Sequence, residues 1–400
     1  MLHPSGMCPI LAANPLEVCT KEDAACTKVD RKTGSPAIWC FLLAIPGVVF
    51  MLLFVRAAGD HVSDFTGFLV GAKLLGTARL YDVATNLAFQ NALIGKTNDG
   101  VIYMRMPFWA FVMKPFLALS YGHALLLWRT MMGVVLLACG FLSGRFRSFF
   151  LLVLAWSIPA AGCIETGNDA PLILLFMLIS LVCWRKNRKI LAGASLGLCI
   201  VKFHFLIFLP LLVLRKKHRQ ELIGFSLSVA ALMAANFAVQ PDWVKLYWAA
   251  LHLEKNINAN SALMPNFYSA FFWTGYPRFA VAVGALLVLA LVWPICRRLP
   301  FDLAMPLCVF SALLASPHTN YLDGILAIPA LLAVNSRFRQ VRPLAVFLLS
   351  PIVGILSYFG PRSTGPIIIV TASISLLGAV VYLVSNYSEA IDWREENGLR

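Results

Sequence analysis

The sequence predicts an all-α polytopic membrane protein, and three observations carry that prediction. Hydrophobic residues make up 60% of the 400 residues, charged residues only 13%, and the mean hydropathy is +0.77, whereas soluble domains run at about 25% charged. Apolar runs of about 20 residues, the length that a roughly 30 Å hydrocarbon core requires, follow one another closely. Lysine and arginine gather at the ends of those runs, so the formal net charge of +14 reports topology and not nucleic-acid binding. No segment is left that could build a soluble catalytic domain.

The elements follow in order. Residues 1–35 are polar, carrying Lys21, Glu22, Asp23, Lys28, Arg31 and Lys32. A cleavable signal needs its apolar core closer to the start, so this stretch reads as a cytoplasmic tail. A membrane domain over 36–385 and a cytoplasmic tail over 386–400 complete the division. The first span runs from about Pro36 to Val55 and exits at Arg56; Phe116 to Phe141 returns to Arg145 and Arg147. About sixty residues separate the two, too many for a plain turn. Within them, Phe65 to Leu75 carries apolar residues at helical spacing, which predicts an interfacial helix in an extracytoplasmic first loop.

Phe149 to Cys163 then crosses outward, Glu165 to Asp169 marks the far side, and Pro171 to Trp184 comes back to Arg185, Lys186, Arg188 and Lys189. Ile190 to Leu214 breaks the pattern, because Arg215, Lys216, Lys217 and Arg219 close it with a second basic cluster. Two half-length helices that dip in and return, with Lys202, Phe203 and His204 at their tip, put both clusters on one side; unwound backbone at membrane depth then requires protein or a wet cavity around it. An ordinary span that departs from the positive-inside rule is the alternative. Leu222 to Val239, Phe279 to Cys296, Leu303 to Ala315, Tyr321 to Val334, Leu344 to Phe359 and Ile367 to Val384 follow, giving about 10–12 transmembrane helices. The sequence carries no internal repeat of the transporter kind.

Acids are scarce, 19 in all, and an ionisable group at a membrane exit has a reason to be there. The topology brings Asp60 and Asp64, the Asn168-Asp169 patch and the Ser316-Pro317-His318 turn to one face, with Lys202 and His204 approaching from below. A partly desolvated carboxylate near cations suits general-base catalysis, and lysine or histidine cations suit a phosphate leaving group. Blander readings stand beside these. Asp60 and Asp64 fit the capping of an interfacial helix, Asp82 a helix cap, His318 an exposed loop histidine, and His204, Arg129 and Arg278 interfacial anchors. Lys202 is harder to explain that way, since a lysine at mid-segment costs about 2.5–3.5 kcal/mol even on the lenient insertion scale.

The ten cysteines form no C-x-x-C pair and read as small packing residues. The chain has no nucleotide-binding glycine loop, no H-E-x-x-H and no Asp-x-Asp. No metal and no cofactor is therefore expected, and an activated substrate arrives through the bilayer.

Ser63-Asp64-Phe65, Gly71-Ala72, Gly76, Leu80-Tyr81-Asp82 and Tyr103-Met104-Arg105-Met106-Pro107-Phe108 resemble the first loop of family 87 glycosyltransferases. The likeness continues through Gly167-Asn168, Ala192-Gly193, Gly197-Leu198, Lys202, Ser316-Pro317-His318, Tyr321 and Asp323, covering roughly Asp60 to Leu332. It implies a GT-C-like bundle in the plasma (inner) membrane, with its site facing the periplasm or exterior. The implied activity is inverting transfer of a hexose, above all mannose, from a polyprenyl-phosphate donor to a glycolipid or envelope glycan. Asp64 then falls at the family's catalytic aspartate, and Lys202 and His318 near the donor. The chain departs from the family pattern at Met104-Arg105-Met106, which makes Arg105 an extra donor-phosphate or acceptor contact, and at Asn168, where the family has glutamine. Asp60, Asn168 and His204 are supporting candidates. The rival reading is a flippase or transporter of lipid-linked sugars.

Overall fold

The structure is a computed structural model of the chain and describes residues 36–57, 64–95, 102–253, 265–359 and 364–396. It is helical, with no strand among the described residues. The tail over 1–35 and the candidate Asp60 lie outside them. Among the described residues six helices are long and apolar enough to cross a membrane, or seven if one bent pair counts as a span. Among the described residues the other expected crossings are shorter or broken helices.

Helix α1 (Pro36–Ala57) is apolar all round, the pattern of a membrane helix. It sends Phe41, Leu52 and Leu53 outward. It meets the bundle where Gly47 lies against the Ala155 carbonyl and where Trp156 donates its indole N–H to the Leu43 carbonyl at 2.9 Å.

The first loop folds as α2 (Asp64–Leu74), α3 (Val83–Ile94) and α4 (Pro107–Met113). Nearly every residue of α2 is buried, so this helix is enclosed by protein rather than resting on its surface. Gly71 is required there because a Cβ would collide with the Tyr103 ring. Asp82 caps α3, accepting from the Thr85 amide at 2.8 Å, which bears out its reading as a helix cap.

Helix α5 (Tyr121–Leu142) leads to α6 (Arg147–Ala155) and α7 (Ile158–Thr166), which are bent by 70° where Ser157 caps the second of them. Helix α8 (Ala170–Arg185) runs back. Helix α9 (Lys189–Gly197) continues into a 3₁₀ segment (Leu198–Leu206), then α10 (Pro210–Val213) and the long α11 (Arg219–Val239).

Helices α9 and α11 lie side by side and parallel. A Cβ on Gly193 would strike the Glu221 carbonyl, one on Gly224 the Ile190 carbonyl, and one on Gly197 would sit 2.7 Å from Ser228. Two parallel neighbours require the intervening chain to travel in and come back, so the basic clusters at 185–189 and 215–219 share one end, as a dipping hairpin demands. Trp184 donates to the Glu221 carboxylate at 3.1 Å at that end, and Arg215 donates to the carbonyl of Cys296. Arg297 and Arg298, closing α14 (Pro277–Arg298), join the same end; between α11 and α14 lie α12 (Trp243–Leu253) and α13 (Phe267–Ala270).

Helix α15 (Phe301–Ala315) is the centre of the bundle, buried at every residue except Asp302. It delivers Ser316, Pro317 and His318 to the end opposite the basic clusters. A 3₁₀ turn (Tyr321–Ala327) and α16 (Ile328–Arg337) return, and α17 (Arg342–Leu349), α18 (Pro351–Phe359) and α19 (Thr364–Glu396) complete the chain. The last helix continues past the expected span end near Val384.

Candidate functional site

Four chain breaks converge at the end away from the basic clusters. The first is the start of α2, where Asp64 stands in the first described turn, near the positive end of the helix dipole. The second is the turn after α7, where Gly167 takes φ +66° and the Asn168 amide bonds back to the Cys163 carbonyl at 2.9 Å. This glycine closure of the helix projects Asn168 and Asp169 toward Asp64. The third is Lys202, whose φ −121° and ψ 68° interrupt the 3₁₀ segment. The fourth is the turn before α16, where Asp323 accepts from the Asn320 amide at 2.9 Å.

One polar network joins them. Asn168 donates through Nδ2 to Asp64 Oδ2 at 2.7 Å, and its Oδ1 accepts from Lys202 Nζ at 3.0 Å and from the Ala170 amide at 2.8 Å. Lys202 Nζ lies 3.0 Å from Asp169 Oδ1 and 2.7 Å from Asp323 Oδ1. An ammonium has three donors, and here all three have acceptors. Arg105 makes a fork to Asp169, with Nε 2.8 Å from Oδ2 and an Nη 3.0 Å from Oδ1, and its guanidinium lies 5.6 Å from the Phe68 ring. Such bidentate pairing fixes both partners. Thr166 Oγ1 lies 3.3 Å from Asp64 Oδ2 but 2.9 Å from the Gly162 carbonyl. One hydroxyl proton serves the shorter bond, so Asn168 is the main partner of Asp64.

The electrostatics follow from burial. Three carboxylates (Asp64, Asp169, Asp323) face two cations (Arg105, Lys202), leaving one negative charge if all ionise. Burial pushes the Asp64 carboxyl above its ordinary value, against the Asn168 hydrogen bond and the charges of Arg105 and Lys202. Burial acts the same way on Asp169, but the adjoining Arg105 and Lys202 outweigh it and hold that carboxyl below the usual range. Of these two, Asp64 thus holds a proton more readily, while Asp169 stays ionised as a counter-charge.

The structure therefore brings Asp64, Arg105, Asn168 and Lys202 together. His318 is exposed and joins no side chain of the network, its amide lying 3.3 Å from Ser316 Oγ. His204 is within electrostatic range of Lys202, Arg105 and His318; its ring packs on Phe205 at 4.0 Å, and its buried Nε2 has no hydrogen-bond partner. Arg129 donates to the Glu165 carbonyl at the end of α7, a helix-capping role, and Arg278 is exposed. Sequence reasoning named Asp169 only within the Asn168-Asp169 patch and Asp323 only in the family likeness, and gave neither a role. The signal was present, since a lysine inside an apolar segment demands counter-charge and these acids stand on the same face. Among the described residues no group of three or more His, Cys, Asp or Glu is placed to hold a metal ion.

Residues 103–317 match glycosyltransferase family 87. The match takes in Arg105, Asn168, Asp169, Lys202 and His204; Asp64, His318 and Asp323 lie outside it. No curated protein and no solved structure matches the chain. The family match covers more than half of a chain whose long apolar helices cross a bilayer, and it makes the protein a membrane glycosyltransferase that belongs to family 87.

Proposed function

We propose that this glycosyltransferase moves a hexose, mannose being the first candidate, from a polyprenyl-phosphate donor to a glycolipid or envelope glycan, with inversion at the anomeric carbon. The observation that carries the reading is the Asp64 carboxylate. One oxygen is held by Asn168, the other takes no hydrogen bond from any described residue, and burial has raised its proton affinity toward the range useful in a base.

In the reaction, the free oxygen of Asp64 removes the proton of the acceptor hydroxyl. The acceptor oxygen then attacks the anomeric carbon, the bond from this carbon to the phosphate oxygen breaks, and polyprenyl phosphate leaves with the electron pair. A β-linked donor gives an α-linked product. Arg105 supports the leaving group best: its side chain is 18% exposed and its second Nη makes no bond among the described residues. The exposed His318 and the free Nε2 of His204 are further candidate donors where negative charge grows. Lys202 acts on this centre at most at a distance, because its three donors are occupied.

The basic clusters gather at the end opposite the site, and cations mark the cytoplasmic side. In a plasma membrane the reaction then takes place on the periplasmic or outer face, where a lipid-linked donor arrives laterally. The testing experiment gives purified protein a labelled short-chain polyprenyl-phosphate hexose and an extract of envelope lipids. Release of polyprenyl phosphate by the parent and its loss in Asp64→Asn are expected. Movement of intact donor across vesicles without release is the transporter outcome and overturns the reading.

A further inference from the structure

The Asn168 amide cannot be turned round. Its Oδ1 accepts from two groups that only donate, the Lys202 ammonium and the Ala170 N–H, so its Nδ2 must face Asp64. Lys202 is in turn fixed by Asp169 and Asp323. The carboxyl torsion of an aspartate is otherwise broad and two-fold. Pinning Oδ2 at 2.7 Å sets the direction of the other oxygen, the one that takes the proton. The chain leaves helical geometry at Lys202 itself, which brings the ammonium to Asn168 and not to open space.

We propose that Asn168 and Lys202 are positioning residues: Lys202 orients the Asn168 amide, and Asn168 aims the proton-accepting oxygen of Asp64 at the acceptor hydroxyl. This inference rests on Asp64 being the base. It assigns Lys202 to the base side of the reaction, whereas a cation serving the departing phosphate acts without Asn168. It also separates Lys202 from a purely structural neutraliser of Asp169 and Asp323, because that role survives any change at Asn168 that keeps the fold.

The test uses the full chain in membranes with the short-chain donor. Asn168→Ser keeps an oxygen for the Ala170 amide but is too short to reach Asp64. Its expected result is a loss of about tenfold or more in kcat, with the donor KM little changed. The acid limb of the pH profile also moves to higher pH, since a hydrogen bond that favours the ionised base has been removed. Parental kcat and an unmoved limb overturn the proposal. Asn168→Gln, which restores an amide, is expected to recover part of kcat; recovery no better than serine also counts against it.

If Asn168→Ser does not accumulate, Lys202→Met combined with Asp323→Asn removes the ammonium and one carboxylate together, and a loss of about tenfold or more in kcat with the donor KM little changed is expected. Parental kcat in that pair overturns the proposal. Asp64→Asn separates the two levels: activity there overturns the base reading, while an inactive Asp64→Asn beside a parental Asn168→Ser overturns only the positioning role.

Discussion

Trp128 donates its indole N–H to the Gly167 carbonyl at 2.8 Å, and the ring of the same tryptophan stacks at 5.9 Å on Phe65, the residue after Asp64. One side chain of α5 thus holds both the turn that projects Asn168 and the helix start that carries Asp64. The close approach explains why position 167 is glycine, since a Cβ there would lie 2.8 Å from Phe65 and 3.0 Å from Trp128.

Gly167→Ala is accordingly expected to destabilise the protein by about 1–3 kcal/mol, from left-handed backbone strain and from overpacking. Turnover is expected to fall more than donor affinity. Thermal unfolding in detergent and steady-state kinetics measure the two effects; an alanine variant with parental values of both contradicts this account of the turn.

The pH dependence has a definite sign. A base works ionised, and burial has raised the Asp64 carboxyl above its ordinary value, so kcat/KM is expected to fall as pH drops through that raised value. The acid limb therefore lies above the value of a free aspartate, about 3.8. A limb at or below that value excludes Asp64 as the base, whatever its substitution does.

The charge network predicts non-additive stability. Asp169→Asn leaves Arg105 and Lys202 facing fewer buried acids and is expected to cost several kcal/mol, about 3–5. Adding Arg105→Leu removes the guanidinium that has lost its fork partner and leaves Lys202 paired with Asp323. The double variant is expected to unfold at a higher temperature than Asp169→Asn alone, which a double-mutant cycle tests.

Topology can be read by thiol labelling in a background without native cysteines. Lys189→Cys and Arg215→Cys are expected to react from one side of the membrane, and His318→Cys from the other. Reaction of positions 189 and 215 from opposite sides contradicts the parallel packing of α9 and α11.

Much of this was legible in the sequence. Basic clusters at both ends of 190–214 favoured a chain that returns over an ordinary span, and the glycines at 193, 197 and 224 are where α9 and α11 touch. Asp64, Asn168 and Lys202 could be grouped because spans placed them on one face, and Arg105 entered through the family resemblance. What periodicity could not give was the partnership of Lys202. An uninterrupted apolar run carries no mark of the φ and ψ at Lys202 or of which acids it meets, and its ammonium looked available for a phosphate until three acceptors were found around it. The enclosure of α2 was hidden for a similar reason, because apolar spacing is the same whether lipid or protein covers the helix. Full-length spans were expected where α8 and α15 are short buried helices, because an apolar run does not show how much of it is helical.

The contact of Gly193 and Gly224 with the opposing backbones also limits how this chain can vary. It locks α9 to α11 with no side chain to absorb a slip, and Lys202 follows nine residues after Gly193. One residue inserted between them would turn everything beyond it by about 100° in α-helix, or by about 120° in 3₁₀ geometry. The ammonium would then swing away from Asn168 while the helix pair stayed in place. Length here is as tightly specified as residue type, and a working insertion or deletion in 193–202 is expected only in steps that restore the helical phase.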